Sequence, residues 1–252
     1  MRLTARLGGG LVIALLLAAC ARVEVATFQP AQGQQTLIRD GVPVIYSRQR
    51  QSLVLLRPAL RQFRAGNRPS YVLALYNLTN EPLQFAVVNV HVAQLQDGQP
   101  KYLKVYTYDE LVAEEHTRQT IQALALGLSA AGNSMSAASA GHYNATATVS
   151  GPNGFSTVNV YGYDPSAAAI AQNRAAAQNE AMIGSAVEAG QRNLVNLERT
   201  VIKDDTLLPG EWYGGTMQFD ATSGSAAKNY NITVQIGNDT HQISVTQAPL
   251  QN

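Results

Sequence analysis

From Gln119 to Tyr163 the chain runs for 45 consecutive residues without an Asp, Glu, Lys or Arg. A stretch of that length has no charged group to keep it in water, so most of its surface must find packing partners. The segments at its ends spell helices. His116–Gly141 is rich in Ala, Gly, Ser and Leu, Ser166–Leu197 in Ala, Gln and Asn, and neither contains an internal Pro. Pro165 before Ser166 offers a natural helix start. Ala123, Gly127 and Ala131 fall four apart, as do Ala177, Ala181, Ser185 and Ala189. Such small stripes let two backbones approach closely, so the expectation is an antiparallel helical hairpin packed through them. Between the helices, Asn144–Ser150 and Phe155–Tyr163 flank Gly151-Pro152-Asn153-Gly154. That pattern predicts a β-hairpin near 143–163 at the tip of the helical pair.

The flanks have a different period. Thr36–Arg39 and Val42–Ser47 surround Asp40-Gly41, a strong hairpin signal. Ser52–Arg57, Tyr71–Leu78, Leu83–Gln94 and Tyr102–Tyr108 follow as further strand candidates, with Val88, Val90 and Val92 expected on one face. The pattern returns in Thr206–Leu208, Thr216–Ala221, Tyr230–Ile236 and Gln242–Thr246. Short strands separated by turn clusters predict an antiparallel β-sandwich formed by 36–115 and 200–248, interrupted by a helical arm over 116–199. The fold class is therefore α+β. The stretch YNLTNEPLQF followed by an alternating strand is similar to Ig-like extracytoplasmic domains, a likeness of fold that carries no function.

Composition removes several function classes. With 46% hydrophobic and 14% charged residues the chain is not intrinsically disordered. A net charge of +1 lacks the basic footprint of a nucleic-acid binder, so no nucleic acid is expected as partner. One Cys excludes a disulfide scaffold or a Cys-rich metal site. That Cys ends the leader: Arg2 and Arg6 precede three glycines and an apolar run from Leu11 to Ala19, too short for a permanent span. Leu17-Ala18-Ala19-Cys20 resembles the signal of bacterial lipoproteins throughout its four positions. The resemblance implies cleavage before Cys20, a diacylglycerol on its sulfur and a third acyl chain on the new amino group, together a stable anchor. Ala21 in place of Asp implies sorting to the outer membrane, with the body facing the periplasm. Residues 20–35, polar, Gln-rich and broken by Pro30 and Gly33, read as a tether.

Chemistry is sparse. Ser225-Ala226-Ala227-Lys228 matches the Ser-x-x-Lys of penicillin-recognising enzymes but falls in a Gly/Ser-rich turn without the companion motifs, so a cell-wall enzyme is the weakest reading. His91, His116, His142 and His241 show no metal-ligand spacing, and Glu114-Glu115-His116 reads as the junction where acids favour a helix start. No catalytic residue, metal or cofactor is expected. Trp212 and Tyr213, in a glycine-flanked turn, are either an exposed contact pair or the cap of the sandwich core. The expected role is structural, within a cell-envelope complex, with a protein partner or a second copy met through the 116–199 arm at Gly127, Ala131, Ala181 and Ser185. A second reading is an oligomeric outer-membrane pore inserting the 143–163 hairpin through Val158, Val160 and Tyr161.

Overall fold

The computed structural model describes residues 23–96, 99–151, 154–222, 224 and 226–250. The leader with its Leu17–Cys20 motif, Asp97-Gly98, Pro152-Asn153 and Ser225 lie outside the described residues. The chain forms two compact units, one running to Thr107 and resuming at Thr200, the other Tyr108–Arg199.

In chain order the elements are β1 (Val23–Gln29), β2 (Gln34–Arg39), β3 (Val42–Arg48), β4 (Ser52–Pro58), β5 (Phe63–Arg64), β6 (Ser70–Asn77), β7 (Leu83–Phe85), β8 (Val90–Gln96) and β9 (Gln99–Leu103). The second unit holds α1 (Tyr108–Ser139), β10 (His142–Gly151), β11 (Gly154–Tyr163) and α2 (Pro165–Thr200). The chain then returns to the first unit as β12 (Asp205–Leu207), β13 (Trp212–Gln218), β14 (Lys228–Ile236) and β15 (Asp239–Pro249).

The first unit has a six-stranded sheet, β5-β1-β15-β14-β8-β9, and a five-stranded sheet, β13-β6-β4-β3-β2, with a small β12-β7 pair. All named strand pairings are antiparallel. Period-2 alternation explains the packing. Ile232, Val234, Ile243 and Val245 from the six-stranded sheet meet Ile45, Val54, Leu56, Leu73 and Leu75 from the other in one buried cluster. Phe219 stacks on Tyr71 at 5.8 Å and meets Tyr230 edge-on at 5.2 Å. At the predicted Asp40-Gly41 turn, φ values of 53° and 72° show the left-handed pair that a two-residue hairpin needs.

Several boundaries differ from the sequence reading. The tether expected over 20–35 contains β1 and the start of β2: β1 pairs along β15 with Glu24 buried, and Pro30 and Gly33 belong to the turn between β1 and β2. Leu83–Gln94 is two strands separated by a 3-10 turn at Val87–Asn89, which sends Val88 to solvent while Val90 and Val92 stay buried. The strand expected over Tyr102–Tyr108 stops at Leu103, and α1 begins eight residues before His116. Asp109 and Glu110 occupy its first turn, where carboxylates meet the positive end of the helix dipole, so the helix starts there and not at Glu114-Glu115-His116. The unit boundary accordingly falls at Tyr108 rather than His116.

Candidate functional site

The second unit is two long helices joined by a hairpin, and its buried residues are few. Leu111, Glu115 and Ala137 on α1 and Ala168, Ala175 and Gly190 on α2 are buried. Spacings of three and four connect them through half-buried Gln119, Gln122, Leu126, Ala130 and Asn133 on α1, and Ala171, Asn179, Met182 and Ala186 on α2, so one seam joins the helices. Polar contacts set its register. Asn133 Nδ2 donates to Asn179 Oδ1 at 2.9 Å, and Asn179 Nδ2 to the Ala130 carbonyl at 3.3 Å. Glu115 accepts from Arg118 at 2.6 and 2.8 Å, from Gln119 at 2.9 Å and from Asn193 at 3.4 Å. The Arg118 guanidinium, followed by the two amides, holds the Glu115 carboxyl down to about 2. Gly190 leaves room for Gln119, whose Nε2 would sit 2.7 Å from any Cβ there.

The small stripes chosen from sequence are not this seam. Gly127, Ala131, Ala181 and Ser185 are all exposed. Ala123 and Gly127 line a groove of about 650 Å³ along one side of the pair, opposite Ile183 and Val187. Ala131 lies on a second stripe of α1, with Ile121, Leu124, Leu128 and Met135 at spacings of three, four and seven. This stripe points away from the seam, and Leu128 is 78% exposed. It has the spacing of a helix-packing face but faces solvent here.

The two helices hand over to a β-hairpin of two ten-residue strands paired from His142–Tyr163 to Gly151–Gly154. Its base is tightly fitted: a methyl on Gly162 would overlap the Tyr143 ring, one on Gly141 would meet Tyr163 and Ala168, and His142 and Tyr163 rings lie 5.0 Å apart. Asp164 caps α2, accepting from Ser166 N at 2.9 Å and Ala167 N at 3.2 Å, and the Ser166 hydroxyl with these amides lowers its carboxyl pKa. The register separates two chemically distinct faces. Tyr143, Ala145, Ala147, Val149, Val158 and Val160 share one; Asn144, Thr146, Thr148, Thr157 and Asn159 share the other, with Phe155 near the turn and Tyr163 at the base. Sequence reading had placed Tyr161 with Val158 and Val160, but pairing with Asn144 puts it on the polar face. Val158 and Val160 remain 47% and 43% exposed. Neither outer edge of the hairpin pairs with another described strand.

In the first unit, Trp212 and Tyr213 separate. Tyr213 faces inward, its hydroxyl accepting from Lys203 N at 3.0 Å and donating to Lys203 O at 3.1 Å. Trp212 is half-exposed and stacks on Tyr76 at 4.8 Å. Lys228 is not a turn residue; it is buried in β14 and donates to both Glu24 carboxylate oxygens at 2.7 and 3.0 Å. Gln247 Nε2 completes that carboxylate at 2.6 Å.

Sequence reading also missed a buried cluster. His241 Nδ1 lies 3.0 Å from Ser47 Oγ and its Nε2 2.9 Å from Ser52 Oγ, while Asp239 Oδ2 accepts from Ser52 N and Oγ and from Gln51 N. Burial holds the imidazole pKa down to about 4, against a smaller upward pull from Asp239. The carboxylate bonds the serine rather than the far imidazole nitrogen, and His241, Ser47 and Ser52 are essentially inaccessible. The cluster therefore ties β15 to β3 and β4 instead of presenting a nucleophile.

Among the described residues no group of three His, Cys, Asp or Glu gathers as a metal site, and no helix is long and apolar enough to cross a membrane. Comparison with protein-family models, curated proteins and solved structures finds no match.

Proposed function

We propose that the chain is a lipid-anchored subunit of a cell-envelope assembly. It is held to the outer membrane through Cys20 with its body in the periplasm, and its helical hairpins associate with those of further copies. In the assembly the 142–163 hairpins join edge to edge into a β-barrel that crosses the bilayer. The role is mechanical and calls on no catalytic residue or cofactor. We read the two-sheet unit as an Ig-like sandwich serving as the platform; its two antiparallel sheets around one core support that reading.

One observation carries the proposal: a charge-free hairpin with one apolar and one polar face, both open edges unpaired among the described residues. A lone two-stranded hairpin is marginal in water. Lipid against Val149, Val158 and Val160, and water against Thr146, Thr157 and Asn159, would satisfy both faces at once. Ten residues tilted by about 45° rise roughly 24 Å, close to the roughly 25 Å apolar band of such barrels. At the base of the apolar face stands Tyr143, a residue type enriched at membrane interfaces. Each copy supplies two strands, so the smallest such barrel, of about eight strands, needs about four copies. The outward stripe of α1 supports lateral packing of neighbouring helical pairs.

Purified lipidated protein should produce discrete conductance steps in planar bilayers. Val158→Arg, which places a charge on the lipid face, should abolish them while leaving the first unit folded. Silent bilayers for the unmodified protein would reject the barrel.

A further inference from the structure

The outward face of the five-stranded sheet has a chemistry of its own. Leu53, Leu55, Val72, Ala74 and Tyr76 point away from the core and are half-buried, with Trp212 beside Tyr76 and Leu37 at the β2 edge. A solvent-facing side of an antiparallel sheet ordinarily alternates to polar residues, and this one does not. Arg39, Arg48 and Arg57 share the parity of Leu37, Leu53 and Val72 and so lie on this face. The residues between Asp40 and Glu81 include six Arg (48, 50, 57, 61, 64 and 68) and no acid or Lys, although Arg64 lies in β5 of the other sheet. Arg39 and Arg57 line one groove of about 340 Å³ whose floor includes Leu37, Leu55, Val72 and Ala74. Asp40 also lines it, and its carbonyl accepts from Arg61 at 2.8 Å. At the other end Glu211, next to Trp212, is committed to the Leu208 amide at 2.7 Å.

We infer that this face docks on the surface of an anionic phospholipid bilayer, with Arg39 and Arg57 meeting headgroup phosphates and Trp212 and Tyr76 seated at the interface. An apolar centre with a cationic border matches acyl chains beneath anionic headgroups, and Trp and Tyr favour that depth. The anchor leads into β1 of the other sheet and holds the whole unit close to the bilayer, and this part rests on the lipidation of Cys20 proposed above. β1 begins at Val23, so the chain from Cys20 spans at most about 11 Å. Arg64 pairs with Val23, so the Arg-rich segment that leaves β4 reaches the strand nearest the anchor. With so short a connection, the platform lies on the bilayer instead of floating above it.

The only Trp in the chain sits on this face and reports directly. The mature chain carrying Cys20→Ser, exported behind an ordinary cleavable leader, removes the lipid from the test. With phosphatidylglycerol vesicles, Trp212 emission should shift to the blue and be quenched by brominated acyl chains. Arg39→Gln with Arg57→Gln should weaken that response about thirtyfold, at about fivefold per Arg. The hairpin variant Val158→Arg should leave it unchanged, which separates this face from the barrel. Circular dichroism identical to the unmodified chain confirms that these exposed substitutions fold. An equal response to phosphatidylcholine vesicles, a silent Trp212 on vesicle-bound protein, or a shift that follows protein concentration without vesicles would each overturn the proposal.

Discussion

The two units solve the problem of apolar surface in opposite ways. The strand-rich unit closes on itself: two dozen buried apolar side chains form one cluster, and buried ionisable groups within it are paired, Glu24 with Lys228 and His241 with Ser47 and Ser52. The 92-residue helical unit buries six residues along a single seam, and leaves Ile121, Leu124, Leu128, Ile183, Val187 and the apolar side of its hairpin exposed. One sequence thus contains a closed core in one unit and apolar surface open to solvent in the other. The proposed function assigns association to the open unit.

Mutations should expose that contrast. Glu24→Ala strands the Lys228 ammonium in the sandwich and should cost about 3–5 kcal/mol. Ile232→Ala should cost about 2–5 kcal/mol through the cavity it leaves. Leu128→Ala, removing a side chain of similar size from the helical unit, should change the stability of the isolated protein by less than about 0.5 kcal/mol. Denaturant titration of the three variants checks all of this; a large loss for Leu128→Ala would mean that the outward stripe is already covered within one chain.

Acid should act first on the closed unit. The folded-state pKa of His241 is lowered from 6.5 to about 4, so between these values the unfolded chain takes up a proton that the folded one refuses. Stability is full above about 6.5 and declines as pH falls towards 4, by at most about 3 kcal/mol. Glu115 is the carboxylate case: its contribution is full above 4.5 and is lost as pH falls towards 2. Melting temperature against pH should therefore fall first in the sandwich, and His241→Gln should flatten the limb between 6.5 and 4. A limb unchanged in that variant would assign the acid sensitivity elsewhere.

Smaller effects test the junction of helix and hairpin. Asp164→Ala removes the cap of α2 and should cost about 1 kcal/mol, seen as faster amide exchange at Ser166 and Ala167. The sandwich amides should not respond.

What the sequence disclosed follows the same division. Ala-rich runs without Pro gave the helices, period-2 alternation around a Gly-Pro-Asn-Gly turn gave the tip hairpin, and Asp40-Gly41 gave a turn whose backbone demands those residues. The packing seam was not readable, because Ala, Gly and Ser occur on every side of α2. A stripe of Ala177, Ala181 and Ser185 has no more contrast than the true one through Ala168, Ala175 and Gly190. β1 was hidden for another reason: Glu24 is buried only because Lys228 arrives 204 residues later, and no local window contains that pairing. His241 did leave a trace. It shares parity with Ile243 and Val245 on the inward side of β15, a signal that could have placed it in the core had the strand been extended past Gln242. The apolar face of the hairpin emerged only from cross-strand register, which sorts Val158 and Val160 from Tyr161.

The central claim is that the helical unit is completed by further copies of this chain. Its most direct test is the native mass of the protein extracted from envelopes in mild detergent. The account predicts a discrete species of about four or more mature chains that falls apart when Leu124 and Leu128 are changed to Ser. A single chain in the extract, at concentrations where the membrane-bound protein is intact, would contradict it.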